Sequence, residues 1–293
     1  MNDGGKASGS LAALVAAISL AVGFGMPGPV AALAQRPAIA EEAANAVNVE
    51  ILCETTGLTP GTTSTLALVF TIKPGWNLYW RNPGDSGTPI GFKWELPAGV
   101  SIGEAQWQVP KRKVLDGGIL DYVYEQRAVL LFPVTVDQSV SGAAARMKIK
   151  AELDWLVCRE ACVPGGRTIE VALDVTQHAT AGPSSAVILA ARETMPGAIG
   201  SGRSGAEARW DGLELVIRAS GADRMAFFPY ESETIWPESM LERGAKAGQE
   251  LRIEYPSAVR AEKSVRGVVE VVRGSATTHE IIEATVPPDA RTP

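Results

Sequence analysis

Apolar and polar residues alternate with a period of two along most of the chain, which is the pattern of half-buried β-strands. Val47, Val49 and Ile51 fall on one face, and Arg167 to Val175 alternates with equal regularity. Gly and Pro residues separate eight or nine such segments between residues 47 and 178, where no strong helical period is present. The pattern predicts a β-sandwich.

A second run of strand-like segments begins after residue 205 and predicts a smaller β domain. The stretch between the two β regions is rich in Ala, Gly and Ser, and it predicts a linker in which Ser184 to Glu193 is a candidate short helix. The predicted all-β chain has a signal peptide at 1–34, a flexible leader at 35–46, a β-sandwich at 47–178, a linker at 179–205, a second β domain at 206–286 and a frayed tail at 287–293.

The first 34 residues have the parts of a secretory signal peptide. Lys6 is a short basic region, Leu11 to Val22 is apolar, and Ala32 to Ala34 is a small-residue cleavage signal. No later stretch reaches the roughly 20 apolar residues that a membrane-spanning helix needs. We therefore expect cleavage after Ala34 and a soluble, exported protein, which in a bacterium means the periplasm, where disulfides can form.

The composition is that of a globular protein, with 46% hydrophobic and 20% charged residues. A formal net charge of −6 argues against nucleic acid as the main partner, because phosphate binding needs a basic face. Two histidines make a His-rich metal site or a Ser-His-Asp hydrolase a poor fit. The chain has no P-loop, no G-x-S-x-G and no G-x-G-x-x-G after a strand, and we predict no metal and no small-molecule cofactor.

Two cysteines, Cys158 and Cys162, stand in the sequence WLVCREACVPG (155–165). A turn through the three residues between them can bring the pair within disulfide distance at the end of a strand. So short a ring gains little from chain entropy, roughly 2 kcal/mol against about 5 kcal/mol for a loop of ~100 residues. Spacing alone leaves three interpretations open: a redox-active pair, a structural staple and a metal site.

The surroundings of the pair carry charges of both signs. Asp154 and Glu160 disfavour a thiolate and Arg159 offsets part of their effect, so strong activation of either cysteine is not expected. The third cysteine, Cys53, is interpreted as a buried small hydrophobe on the first strand. An intermolecular or resolving thiol is the alternative for Cys53.

Two further segments are unusual. Pro74 to Gly87 places three aromatic residues before a Gly- and Pro-rich loop, and it predicts either core aromatics with a turn or a rigid wall beside a site. Leu115 to Tyr124 has a Gly-Gly hinge followed by apolar and aromatic residues. It predicts either an ordinary connection, with Tyr122 and Tyr124 on one face of an edge strand, or a cover over a neighbouring site.

Four segments in order form a more specific pattern than any of them alone. They are GWNLYWRNPGDSG (75–87), DYVYE (121–125), LLFPVTV (130–136) and WLVCREACVPG (155–165). The pattern resembles the periplasmic N-terminal domain of the DsbD thiol:disulfide interchange family, and its ScsB-like branch in particular. The resemblance implies an immunoglobulin-like β-sandwich at 47–178, followed by a second, smaller β-sandwich-like domain.

In that family a cysteine pair passes electrons to periplasmic partners and is shielded by a cap loop. By position, the resemblance implies Cys158 and Cys162 as the active pair, joined as a disulfide when oxidised. It implies a cap with the candidate residues Leu115, Asp116, Ile119, Tyr122 and Tyr124. It also implies a neighbouring wall of Trp76, Tyr79, Trp80 and Asp85, although the role of Asp85 is not apparent from the sequence.

The resulting hypothesis is a stand-alone periplasmic protein in which one thiolate attacks a partner's disulfide and the other cysteine resolves the mixed disulfide. The sequence leaves open which cysteine attacks, and Cys162, at the end of the turn near Pro164 and Gly165, is expected to be the more accessible of the two. The expected partners are thioredoxin-like periplasmic redox proteins, with a separate membrane protein as electron donor, because the chain has no C-x2-C motif. Two alternatives are a non-catalytic binding module with a structural disulfide and Cu(I) handling, which the ScsB-like branch suggests.

Overall fold

Strands dominate the computed structural model, which describes residues 41–140, 146–230 and 240–287. The first eleven strands are β1 (Val47–Cys53), β2 (Thr63–Ile72), β3 (Asn77–Gly84), β4 (Gly91–Glu95), β5 (Val100–Ile102), β6 (Gln106–Trp107), β7 (Lys111–Leu115), β8 (Ile119–Glu125), β9 (Arg127–Val136), β10 (Arg146–Cys158) and β11 (Cys162–Asp174). The others are β12 (Ala206–Asp211), β13 (Glu214–Ala219), β14 (Arg224–Pro229), β15 (Ala245–Ala247), β16 (Glu250–Glu254), β17 (Ser264–Arg273) and β18 (Ala276–Thr285). The helical segments are Ser185–Glu193, Met240–Arg243, the 3-10 helix Ser257–Ala261 and a turn at 41–44.

Strands β1 to β11 form two antiparallel sheets that face each other across an apolar core. One sheet has the order β1-β2-β9-β5, with β6 also paired to β9, and the other has the order β11-β10-β3-β8-β7, with β4 also paired to β10. Rings from the two sheets meet edge to face, Phe70 with Trp155 at 5.8 Å and Phe92 with Phe132 at 5.0 Å. The predicted all-β class and the immunoglobulin-like β-sandwich are confirmed.

Strands β12 to β18 form a second, smaller pair of sheets, with the orders β12-β13-β16 and β15-β14-β17-β18. Their apolar residues belong to the same hydrophobic cluster as the core of the first sandwich. The Trp80 ring lies 6.3 Å from Phe228 and 5.7 Å from Tyr230. Asn82 Nδ2 donates to the Pro229 carbonyl at 2.8 Å. The two β regions therefore share one continuous core.

The segment predicted as a linker is packed against both β regions. Its helix, Ser185–Glu193, buries Ile188 and Ala191 on the outer face of β2 and β9. Further along, the buried carboxylate of Glu280 accepts hydrogen bonds from the backbone N–H of Gly202 at 2.9 Å and of Ser204 at 2.8 Å. A buried carboxylate needs such donors, and they hold the segment to β18.

The end of the predicted flexible leader is also packed. Ala43 and Ala46 are buried, and the Ala46 carbonyl accepts a hydrogen bond from Lys73 N at 2.9 Å. The prediction of flexibility is wrong for residues 41–46, because two small apolar side chains fit against the core there. The predicted signal peptide at 1–34, residues 35–40 of the leader and the tail from residue 288 lie outside the described residues. Within the described part, no helix is long and apolar enough to cross a membrane.

Candidate functional site

The cysteine pair closes the tip of the hairpin formed by β10 and β11. These strands pair without a register shift from Arg146 opposite Asp174 to Cys158 opposite Cys162. The turn between them has three residues, and Arg159 N donates to the carbonyl of the last one at 3.4 Å. Cys158 and Cys162 are joined by a disulfide, and their Cα atoms are 4.2 Å apart. The pair thus lies between two strands, as its spacing predicts.

The two cysteines differ in their exposure. Cys158 is only 6% exposed and packs against Tyr79 and Val123, whereas Cys162 is exposed. A molecule that approaches the tip of the hairpin therefore meets Cys162 first. The buried sulfur is left for chemistry within the protein.

Tyr79 lies over the disulfide, with its hydroxyl oxygen 3.2 Å from Cys158 Sγ and 3.6 Å from Cys162 Sγ. Asn77 of β3 is directly opposite Cys158, and Tyr79, two residues on, projects from the same face of the strand. Burial raises the pKa of Tyr79 above its usual range, against the opposing effect of hydrogen bonds with Ser86 and Asn77. The phenol therefore stays protonated near neutral pH and can donate its proton to a sulfur.

A short loop at residues 85–87 lies on the Tyr79 ring. A Cβ atom placed on Gly87 would be 2.3 Å from Tyr79 Cε1, and the φ of Gly87 is +82°. Only glycine fits so close an approach in this backbone conformation. The loop therefore covers the ring that in turn covers Cys158.

Two carboxylates, Asp85 of the loop and Asp121 of β8, attach the loop to that strand. Asp121 is 1% exposed and accepts hydrogen bonds from Ser86 N at 3.0 Å and from Ser86 Oγ at 2.9 Å. The carboxylate of Asp85 accepts the backbone N–H of Leu120 at 2.7 Å. The Asp-Ser-Gly sequence therefore builds a fixed cover, and Asp85 is one of its anchors.

The turn that carries the cysteines is held by an aromatic ring and an ion pair. The Arg159 guanidinium lies 4.8 Å from the centre of the Trp76 ring and forms two hydrogen bonds with the Glu42 carboxylate, one of them Nη2 to Oε2 at 3.0 Å. The hydrogen bond from Arg159 lowers the pKa of Glu42. Both partners are therefore charged at neutral pH.

The sandwich and its cysteine hairpin correspond to a known family. Residues 47–173 match the family described as thiol:disulfide interchange protein DsbD, N-terminal. This part of the chain belongs to the DsbD N-terminal domain family. A comparison with curated proteins found no match.

Solved structures extend the similarity beyond the DsbD N-terminal domain. The N-terminal periplasmic domain of ScsB from Proteus mirabilis is 16% identical, with a TM-score of 0.53, and the match covers 83% of this chain and 94% of that one. It shows that the fold of both β regions is shared. The Neisseria meningitidis DsbD N-terminal domain in the reduced form is 18% identical, with a TM-score of 0.31 and coverages of 47% and 90%. A structure of the complex between the DsbD N-terminal and PilB N-terminal domains from the same organism has 17% identity, a TM-score of 0.24 and coverages of 42% and 80%.

The stretch predicted to cap the pair in this DsbD N-terminal domain does not lie over it. Leu115 and Ile119 pair with each other at the turn between β7 and β8, and Asp116 lies in that turn. The opposite end of β8, at Glu125, is the one that pairs with Asn77 beside the disulfide. The turn is therefore six residues away along the strand, roughly 20 Å at ~3.3 Å per residue.

The two tyrosines assigned to the cap face away from the disulfide. Val123 packs with Tyr79 and Cys158, while Tyr122 and Tyr124 are buried in the sandwich core. Successive side chains of a strand point to opposite faces, so neither ring can cover the pair. Tyr79 covers the disulfide instead, and the 85–87 loop covers Tyr79.

The four predicted wall residues have four different positions. Tyr79 contacts the disulfide, Trp76 contacts the cysteine turn through Arg159, and Asp85 anchors the covering loop. Trp80 faces the core instead, with its ring 6.0 Å from the ring of Tyr122. The wall is therefore not one continuous surface.

Four polar residues of the site were not found from the sequence: Asn77, Ser86, Lys113 and Asp121. Asn77 is 2% exposed, and its Oδ1 accepts a hydrogen bond from Lys113 Nζ at 2.7 Å. Asn77 and Asp121 each interrupt an apolar run of a predicted strand. That interruption is the signal that could have identified them, since a buried polar side chain needs a partner.

Cys53 is remote from the pair in the fold. It is free, buried in the sandwich core and carried by β1, which belongs to the opposite sheet. Its Sγ lies 3.6 Å from Thr55 Oγ1. In the described ranges, no group of three or more His, Cys, Asp or Glu side chains is arranged to hold a metal ion.

Proposed function

We propose that this protein is an exported thiol–disulfide exchange protein whose reactive pair is Cys158 and Cys162. The observation that carries the proposal is a disulfide with one exposed and one buried cysteine in a DsbD N-terminal domain. Cys162 is open to a partner's sulfur, whereas Cys158 can react only with Cys162. This difference in exposure suits a cysteine pair in which one thiol forms a mixed disulfide and the other resolves it.

In the reducing direction, the Cys162 thiolate attacks one sulfur of a partner's disulfide. The partner's S–S bond breaks, its second sulfur leaves with the electron pair and takes up a proton, and a mixed disulfide with Cys162 forms. The Cys158 thiolate then attacks Cys162 Sγ, which releases the partner's first sulfur as a thiolate and closes the Cys158–Cys162 bond. The partner has gained two electrons, and a separate donor reduces the pair again by the reverse steps.

The 85–87 loop gives this exchange its selectivity. It rests on Tyr79 and, through the Tyr79 hydroxyl, shields Cys158 from small oxidants and thiols. A docking partner that displaces the loop uncovers Cys158, the buried member of the pair, only when a productive complex is formed. Thioredoxin-like periplasmic proteins are the proposed partners, and a membrane protein is the proposed electron donor.

A pair of cysteine variants tests the exchange. Each reduced variant, Cys158→Ser and Cys162→Ser, is mixed with a purified thioredoxin variant that keeps only its nucleophilic active-site cysteine, carried as a mixed disulfide with thionitrobenzoate. Cys158→Ser keeps the exposed thiol and loses the resolving one, so it is expected to accumulate a stable adduct. Cys162→Ser is expected to form little or none. The wild-type protein is expected to release thionitrobenzoate and then free the reduced thioredoxin.

The alternative of a structural disulfide has a distinct outcome. If the wild-type protein shows no exchange and its reduction potential lies below about −300 mV, the range of structural disulfides, the proposal is wrong.

Export is tested with the same variant, Cys158→Ser, expressed with its own N-terminal segment in a Gram-negative host. Adducts confined to the cytosolic fraction would contradict the periplasmic assignment.

A further inference from the structure

A chain of polar side chains runs from an edge strand to the buried cysteine. Lys113 Nζ on β7 donates to Asn77 Oδ1 at 2.7 Å. Asn77 lies directly opposite Cys158, Tyr79 projects from the same face of β3, and interaction with the Asn77 side chain lowers the pKa of Tyr79. The Tyr79 hydroxyl donates to Cys158 Sγ at 3.2 Å. The side chains of two residues, Asn77 and Tyr79, thus lie between an ammonium group and one sulfur of the pair.

The donors of this chain all point in one direction. An ammonium group only donates, so Lys113 occupies the carbonyl oxygen of the Asn77 amide and leaves the amide N–H groups to donate onward. The Asn77 N–H groups are then available to the Tyr79 oxygen, and Tyr79 donates its single proton to Cys158 Sγ. Ser86, the other hydrogen-bond partner of Tyr79, donates its own hydroxyl proton to Asp121. In surroundings of low dielectric constant, each hydrogen bond of a chain polarises the next one. Asn77 and Tyr79 are both 2% exposed, so water does not interrupt the chain.

A disulfide sulfur is a weak acceptor, whereas a thiolate is a strong one. The chain therefore does little for the oxidised protein and favours a negative charge on Cys158 once the disulfide opens. When an incoming thiolate attacks Cys162 Sγ, the Cys158–Cys162 bond breaks and its electron pair moves to Cys158 Sγ, which lies against the Tyr79 proton. The Cys158 thiolate is also the group that resolves the mixed disulfide in the opposite direction.

We propose that Lys113, through Asn77 and Tyr79, is a positioning residue that stabilises the Cys158 thiolate, both when Cys158 leaves from the opened disulfide and when it resolves the mixed disulfide. The inference rests on the proposed exchange function, because it concerns the reduced state of the same cysteines. It assigns a role to a lysine that neither the cysteine spacing nor the family pattern singled out.

Other charged groups near the pair act in both directions. The carboxylate of Asp121 opposes a thiolate, as do those of Asp85, Asp154 and Glu160, while Arg159 in the turn favours one. Lys111, on the same face of β7, forms an ion pair with Glu125 at 2.9 Å. Lys111 is therefore a matched control, since it is a lysine two residues away on the same strand with no hydrogen bond to Asn77.

The test compares Lys113→Met, Lys113→Arg and Lys111→Met with the wild-type protein in redox equilibrium with dithiothreitol. The equilibrium constant is measured from about pH 6 to about pH 10, because its pH dependence changes slope at the thiol pKa values of the reduced pair. In Lys113→Met, the pH at which the slope changes is expected to rise by roughly half a unit. Above that pH, the equilibrium constant for reduction of the disulfide is expected to fall roughly threefold. Lys111→Met is expected to change neither the pH of the slope change nor the equilibrium constant. Lys113→Arg is expected to stay close to the wild-type protein in both, because arginine keeps the charge and the hydrogen-bond donors.

Two results would overturn the inference. If Lys113→Met and Lys111→Met shift the equilibrium equally, the effect is one of net charge and the hydrogen-bond chain is irrelevant. If Lys113→Met shifts nothing while thermal unfolding shows an intact fold, the chain does not reach the sulfur. Since dithiothreitol replaces the partner, these outcomes are independent of whether a thioredoxin-like protein exchanges with the pair.

Discussion

The two faces of β3 and β8 have opposite characters although they belong to the same strands. Asn77, Tyr79 and Val123 project toward the disulfide and are buried, and the 85–87 loop lies on the Tyr79 ring. Trp80, which follows Tyr79, and Tyr122, which precedes Val123, project into the core. A single strand therefore supplies a reactive surface on one side and the packing that holds this surface in place on the other.

The core face also explains why the second β region is joined so closely to the first. Trp80 contacts Tyr122 of its own sandwich and Phe228 and Tyr230 of the other region. Arg112 Nη2 extends the junction by donating to the Met240 carbonyl at 2.9 Å. The second region thus supplies part of the support behind the strands that carry the site.

The largest difference between the two faces should appear in stability. Trp80→Ala removes a buried ring shared by both β regions and is expected to cost about 3–5 kcal/mol in the free energy of unfolding. Tyr79→Phe removes one hydroxyl from the site face and is expected to cost no more than about 1 kcal/mol. Urea denaturation measures both variants. Equal losses would show that the site face carries as much of the fold as the core face.

Substitution of two glycines separates the covering loop from the hairpin that was predicted to be the cap. Gly87 and Gly117 have φ values of +82° and +85°, but only a Cβ on Gly87 would meet the Tyr79 ring, since nothing lies within 4 Å of one on Gly117. Replacement by Ala is expected to cost about 1–2 kcal/mol of backbone strain at either position. Only Gly87→Ala displaces the loop, so only this variant should be reduced faster by dithiothreitol, by roughly threefold or more.

The outcome is measured as the rate of disulfide reduction under identical conditions. Faster reduction of Gly117→Ala than of Gly87→Ala would mean that the turn between β7 and β8, and not the 85–87 loop, controls access to the pair.

The smallest effect is expected at the exposed rim of the site. Glu42→Gln removes the ion pair with Arg159, and a slightly lower melting temperature is expected at low salt, with no difference at high salt. Because the hydrogen bond from Arg159 lowers the pKa of Glu42, the pair stabilises the protein at neutral pH and is lost as the pH falls through that lowered pKa. Glu41→Gln is the control. A shift that persists at high salt would show that Glu42 contributes through more than its charge.

The sequence predicted the strands, the sandwich and the cysteine pair, because period-two alternation and a short C-x3-C spacing are local signals. It did not predict which aromatic residue covers the pair. Tyr79, Trp80, Tyr122 and Tyr124 are all aromatic residues on strands, and only the pairing of β3 with β8 and β10 determines which of them faces the sulfurs.

Polar contacts between distant segments were equally hidden. The hydrogen bond between Lys113 and Asn77 joins residues 36 positions apart, and that between Gly202 and Glu280 joins residues 78 positions apart. Nothing in the sequence around either residue of these pairs indicates which distant residue it contacts. Composition suggested a linker at 179–205, and it did not show that a buried acceptor on β18 holds the last part of this segment in place.

The unbroken pairing of β10 with β11 limits how much of the structure changes when the disulfide is reduced. Every residue pair from Arg146–Asp174 to Val157–Val163 remains available when the bond between the two sulfurs opens. Cleavage of that bond frees a turn of three residues and nothing larger. The protein can then cycle between its two redox states with little structural reorganisation, because the hydrogen bonds between β10 and β11 need not break and form again.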